Sequence, residues 1–153
     1  MRLHFAGAPE IASTRAHVWR RLLDPRFVAA SAPGIESVET IDPTHFRVIS
    51  AFGVGAVKLK FIMNVELLDV VEPDRATMRA RGKAPGSNVD VTATVALDEL
   101  APNRIRLNWT AESDLSGTVA SVGARLLEGT ARRLTEQFWT DFARRVQAEA
   151  AAA

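Results

Sequence analysis

From Gly34 to Thr110 apolar and polar residues alternate with a period of two, and from Val119 to Val146 the spacing lengthens to three and four. The first stretch predicts antiparallel strands, turning at Asp42-Pro43-Thr44, Gly53-Val54-Gly55, Glu72-Pro73-Asp74, Ala84-Pro85-Gly86-Ser87 and Ala101-Pro102-Asn103. The second predicts one long helix with the seam Val119, Val122, Leu126, Leu127, Leu134, Phe138, Phe142 and Val146. Ahead of both, Leu3 to Ala8 reads as a strand ended by Pro9. Ser13 or Thr14 can cap a helix through Val18, Trp19, Leu22 and Leu23; Asp24-Pro25 opens a second, which Pro33-Gly34 stops. The expected class is α+β: a seven-stranded curved antiparallel sheet gripping a long C-terminal helix, with two short helices after the first strand. One domain is expected over residues 1-148, followed by an alanine tail, 149-153, that frays.

Length supports this arrangement. A helix of about 28 residues at ~1.5 Å each reaches roughly 42 Å. Seven strands ~4.8 Å apart make a sheet roughly 30 Å wide, so the helix can cross it diagonally. Alternation places Val57, Leu59, Phe61, Met63 and Val65 on one face, with Lys58, Lys60, Asn64 and Glu66 on the other. The same parity turns Ala76, Met78, Ala80, Gly82, Val89, Val91, Ala93, Val95, Ile105, Leu107, Trp109 and Ala111 inward. Ala76, Ala80, Gly82 and Ala93 are small where a close-packed core would carry Leu or Phe. Either they leave room for a ligand or large helix residues such as Phe138 and Phe142 fill the space.

Composition narrows the class. The chain has 153 residues, 47% hydrophobic and 24% charged, with a formal charge of +1, which provides no long-range field for nucleic acid. It has no cysteine, which removes disulfides, thiol catalysis and cysteine-held metals. No apolar run approaches the roughly 18 residues of a spanning helix, and Met1-Arg2-Leu3-His4 opens no signal peptide. A cytoplasmic protein with at most peripheral membrane contact is expected.

Reactive chemistry is sparse. His4, His17 and His45 lie on separate elements without metal-ligand spacing. Gly53-Val54-Gly55 joins two strands and leads into no helix, which makes it a hairpin turn rather than a nucleotide loop. Asp98-Glu99, Glu112 and Asp114 read as solvated charge, and there is no tyrosine. Glu128 with Arg132 and Asp141 with Arg145 are favourable i,i+4 pairs on a solvated face. Arg125, Arg132 and Arg133 could alternatively form a docking surface, and an exposed Trp139 would favour that reading.

Several segments resemble a known family. Val18-Trp19, Leu23-Asp24-Pro25 and Pro33-Gly34-Ile35-Glu36-Ser37-Val38-Glu39 are similar to the opening of the carbon monoxide dehydrogenase G-subunit (CoxG) family. Thr110, then Leu115-Ser116-Gly117-Thr118-Val119-Ala120-Ser121-Val122-Gly123 leading into Leu126-Leu127, resembles its later part. The resemblance spans roughly Leu3 to Val146 and implies a START-like (SRPBCC) helix-grip fold with a deep pocket for a hydrophobic molecule. It also implies an accessory role beside molybdenum-containing carbon monoxide dehydrogenases and related hydroxylases, with membrane recruitment and quinones such as menaquinone as associated roles. Two departures stand out. The chain ends at Ala153 without the extension that membrane-linked members tend to carry, and a proline interrupts Gly82-Lys83-Ala84-Pro85-Gly86.

The resemblance supplies no catalytic residue. Alternation nominates Phe61, Met63, Met78, Val91 and Trp109 as the sheet's part of a ligand lining; the helix adds Val122, Leu126, Leu127 and Thr130. Simple core packing is the competing role for each. The leading expectation is a non-catalytic binder of a lipid- or quinone-like molecule, without resident cofactor or metal, serving a molybdenum hydroxylase complex. The alternatives are a START-like enzyme of cyclase or dehydratase type, needing Glu112, Asp114 or His45 inside the pocket, and a ligand-free adaptor docking through its helix.

Overall fold

The computed structural model describes residues 1–152. Strand β1 (Arg2–Gly7) is followed by the two-residue β2 (Glu10–Ile11), then α1 (Arg15–Leu22) and α2 (Pro25–Ser31). Next come β3 (Ile35–Asp42), β4 (His45–Val54), β5 (Val57–Val71), β6 (Arg75–Ala84), β7 (Ser87–Ala101) and β8 (Arg104–Gly117). A 3-10 turn (Ala120–Val122) leads into α3 (Ala124–Ala152). The strands form one curved antiparallel sheet in the order β1-β8-β7-β6-β5-β4-β3, and β2 pairs with the start of β8.

The sheet has eight strands among the described residues where sequence suggests seven. Pro9 has no N–H to donate, so the edge strand breaks there. Its carbonyl still accepts from Leu107 N at 2.9 Å, and pairing resumes at Glu10 as the short β2. Thr14 rather than Ser13 caps α1, its hydroxyl accepting from His17 N at 3.2 Å. Asp24 caps α2, accepting from Arg26 N at 3.1 Å and Phe27 N at 3.2 Å.

The long helix starts later than its seam suggests. Gly123, with φ of 100°, adopts a backbone that L side chains rarely take, and it separates the 3-10 turn from α3. Val119 is therefore buried ahead of the helix, its N–H donating to Ser87 Oγ at 3.0 Å. At the other end the helix extends to Ala152. Alanine is the best helix former, and Glu149 accepts from Arg21 Nε at 3.0 Å. Ala153 lies outside the described residues.

Helix α3 lies over the concave face and packs into two separate apolar clusters. Phe142 and Val146 join Ile11, Val18, Trp19, Phe27, Ala76, Leu97, Ile105 and Leu107 in the first. Leu127 joins Leu3, Val54, Phe61, Leu115 and Val119 in the second. An aromatic chain thickens the first: Trp109 stacks on Trp139 (centroids 5.5 Å apart), which meets Phe138 and Phe142 edge-on. Trp139 thus faces inward, contrary to the exposed tryptophan that a docking helix would present.

A candidate ligand site between two apolar plugs

Cross-strand register locates what lies between the clusters. One row runs Val65, Ala80, Val91, Ser113 and Leu3 across β5, β6, β7, β8 and β1. The next runs Leu67, Met78, Ala93, Ala111 and Phe5. Flanking them, Met63, Gly82, Val89 and Leu115 belong to the side of the second cluster, while Ala76, Val95 and Trp109 belong to that of the first.

Two intervening rows place the plugs about 20 Å apart along the strands at ~3.4 Å per residue. On the helix, Leu127 and Phe138 touch opposite plugs, and the 11 intervening steps correspond to about 16 Å. Between these two positions on α3, Thr130 is buried and Leu134 half-buried. Phe46 lies opposite Val65 on β4, and at the β1 edge Leu3 belongs to the second cluster with Phe5 packed against it.

The stretch between the clusters is incompletely buried. Val65, Met78, Val91, Ala93, Ala111 and Ser113 remain half-buried, although most lie on central strands and point inward; Ala80 is buried. Phe138 and Phe142 fill space, as one sequence alternative requires, but over Phe27 and Trp139 in the first plug. Two clefts of about 410 and 230 Å³ open elsewhere, beside Arg15 and Asp74 and on the outer side of α3 at Arg133 and Thr140. Neither includes a residue from the two rows.

The nominated residues divide accordingly. Met78 and Val91 belong to the two rows between the clusters, and Thr130 is buried on α3 between Leu127 and Phe138. Phe61 and Leu127 are sealed in the second plug, with Phe61 stacked on Phe52, and present no surface to a ligand in this state. Met63 and Val122 pack against that plug, Met63 lying across Gly82 where any Cβ would collide with its sulfur. Trp109 belongs to the first plug. Leu126 is 46% exposed and meets the β4–β5 tip at Gly55, so it stands at the rim rather than on the lining. Sequence reasoning places Val65 and Ala111 on the inward face and Leu134 in the helix seam without nominating them for the lining, and extending the strand parity past Ala111 adds Ser113 to the same rows.

Titratable groups lie elsewhere. His45 Nδ1 is 2.9 Å from Asp42 Oδ1, and both side chains are about half exposed. Hydrogen bonding to Asp42 raises the His45 pKa, and the same bond first of all lowers that of Asp42. Glu112 approaches His4 at 3.5 Å and Asp114 the N-terminal ammonium at 3.7 Å, all near the surface. Glu149, between α3 and α1, has its pKa lowered chiefly by the hydrogen bond from Arg21. His17 Nε2 is buried 3.3 Å from Glu149 Oε1 without a hydrogen bond. Among the described residues, no group of three or more His, Asp or Glu side chains could hold a metal, and no helix is long and apolar enough to cross a membrane.

An antiparallel sheet wrapped on a terminal helix, with an inward apolar face, defines a START-like helix-grip domain. A START superfamily protein from Mycobacterium smegmatis has this fold (TM-score 0.71, 12% identity, 95% of this chain and 97% of that one). So does the Zhui aromatase/cyclase from Streptomyces sp. R1128 (TM-score 0.67, 17% identity, 98% and 94% covered). A conserved protein from Geobacillus kaustophilus superposes with TM-score 0.86 at 25% identity, over 94% of this chain and 95% of that one. No curated protein matches the sequence. Residues 7–147 match the family model of the carbon monoxide dehydrogenase G-subunit, and the chain belongs to this CoxG family.

Proposed function

We propose that the chain is a non-catalytic binding protein for a lipid- or quinone-like molecule held between sheet and helix. We further propose that it serves a molybdenum hydroxylase of the carbon monoxide dehydrogenase type. The observation carrying this reading is the split core: two plugs with a half-buried, small-residue floor between them. Apolar walls with few polar groups are the usual composition of a small-molecule pocket. The family's description as a component of carbon monoxide dehydrogenase supports the choice of partner. Although one structural neighbour is an aromatase/cyclase, His45, Glu112 and Asp114 sit outside the gap, which favours binding over catalysis.

Native mass spectrometry of protein purified from its source tests the reading: a bound apolar molecule is the expected result. A soluble quinone added at 100 times its dissociation constant should raise unfolding free energy by about 2.7 kcal/mol. Protein that is reproducibly empty and unaffected by quinone or lipid would overturn the proposal. Co-purification with the hydroxylase tests the partner separately.

A further inference from the structure

The β4–β5 hairpin outruns the sheet. Strand β5 pairs with β6 only from Ile62 onward, opposite Lys83. Strand β4 pairs with β3 only up to Ser50, opposite Ile35, with Ala51 N donating to Gly34 O at 2.8 Å as the last link. From Phe52 to Phe61 the two strands therefore have only each other as ladder partners, joined by a tight turn at Gly55 and Ala56. An isolated two-stranded hairpin is marginal in water, so this one depends on its side chains for support. Its underside carries Phe52, Val54, Leu59 and Phe61, all packed in or against the second plug, while Gly53, Lys58 and Lys60 are exposed. Val54, next to the turn, is only 1% exposed, although hairpin tips ordinarily face water. It shares the plug with Leu127 of α3, Leu115 of β8 and Val119 from the turn after β8.

The two plugs are fastened differently. Polar contacts tie α3 to its neighbours around the first: Arg145 Nη1 donates to Phe27 O at 2.8 Å, Arg21 Nε to Glu149 Oε1 at 3.0 Å, and Ala12 N to Gln147 Oε1 at 2.9 Å. Around the second, among the described residues, no hydrogen bond or ion pair joins the projecting hairpin to α3. Its one ion pair with another element, Lys60 to Glu36 of β3 at 3.0 Å, lies between exposed side chains and is worth little. Apolar contact alone holds the tip against the helix, and such contact is non-directional, so it breaks and re-forms without stranding a buried polar group. Segments with few ties open at a lower free energy than those around them.

Resting on the carrier reading, we infer that the projecting β4–β5 hairpin is a lid: it lifts off the start of α3 to admit or release the ligand and closes by reseating Val54. The chain has no cysteine, so an introduced pair is the sole pair of thiols. A Cβ at Gly55 would lie 3.0 Å from Leu126 Cδ2, which makes Gly55→Cys with Leu126→Cys the natural lock. The thiols are bridged with a one-carbon bis-methanethiosulfonate, and naphthalene binding to the full chain is followed by stopped-flow fluorescence. Bridging should slow association and release at least tenfold, and dithiothreitol should restore both. The control is Thr94→Cys with Thr110→Cys, whose hydroxyls lie 2.5 Å apart across β7 and β8 on the outer face; its bridge should change neither rate. Val54→Ala, without any cross-link, should speed entry and release together by roughly tenfold, the worth of two buried methyl groups, and leave the dissociation constant nearly unchanged. Rates unaffected by the Gly55–Leu126 bridge, or release alone accelerated in Val54→Ala, overturn the lid and leave the carrier reading standing. Failure of wild-type protein to bind naphthalene overturns both.

Discussion

At the scale of single residues, the clearest electrostatic element is the Asp42–His45 pair closing the β3–β4 turn. Asp42 Oδ1 also accepts from Thr44 N at 2.9 Å, so one carboxylate organises the whole turn. The His45 pKa is raised above the ordinary 6.5, mainly by the Asp42 hydrogen bond. Its stabilising contribution is therefore full below the ordinary value and lost as pH rises through the folded-state pKa. Asp42 is depressed below 3.8, so its contribution is present above that value and lost as pH falls through the folded-state pKa. Asp42→Asn should return the His45 imidazole titration, followed by NMR, toward 6.5; a curve identical to wild type would show the pair unformed in solution. Gly117 provides a steric counterpart. Its φ is 82°, and an added Cβ would strike the carbonyl of Gly86. Gly117→Ala should cost about 1–3 kcal/mol from backbone conformation alone, read by denaturant unfolding.

Among elements, the junction of α2 with α3 adds one guanidinium to the Phe27–Phe142 packing. Arg145 Nη1 donates to Phe27 O at 2.8 Å and Ser31 Oγ at 2.6 Å, while its centre lies 4.0 Å over the Phe27 ring. A lysine cannot reproduce this combination of planar stacking and fixed donors. Arg145→Lys should destabilise the fold by about 1.5–3 kcal/mol, the range for charged hydrogen bonds in partly buried sites. The helix itself leaves room for improvement at Gly129, which is exposed and has no atom within 4 Å of an added Cβ. Gly129→Ala should add about 0.5–1 kcal/mol, measurable in the same unfolding series. These elements also show what the sequence discloses. Strand parity is imposed by one buried face, and it recovers β3 to β8 with their turns. Helix length comes from the seam, which runs continuously through Val119 and Val122 because buried residues keep their spacing across the Gly123 break. Only the backbone reveals that break. Likewise Pro9 interrupts pairing visibly, but the resumption at β2 depends on Leu107 across the sheet.

For the molecule as a whole, the question is whether the space between the plugs is usable. Parity correctly turns Met78 and Val91 inward, yet local spacing cannot tell a pocket wall from a sealed core. That distinction depends on where the helix residues land: Phe138 and Phe142 fall over Trp139 and Phe27, while Ala93 and Ala111 stay half-buried. Met78→Trp probes this directly. Met78 faces Leu67 and Ala93 in the middle row and belongs to neither cluster. If the gap admits an indole, stability should change by less than about 1 kcal/mol, because nothing must move, and naphthalene binding should disappear. A filled core would give the reverse pattern: overpacking costs about 1–3 kcal/mol, and whatever weak binding exists would be unaffected. The two measurements, denaturant midpoint and probe fluorescence on the same variant, separate these cases because volume must come either from empty space or from displaced neighbours. A tryptophan that is both tolerated and indifferent to naphthalene would place the binding site outside the two central rows.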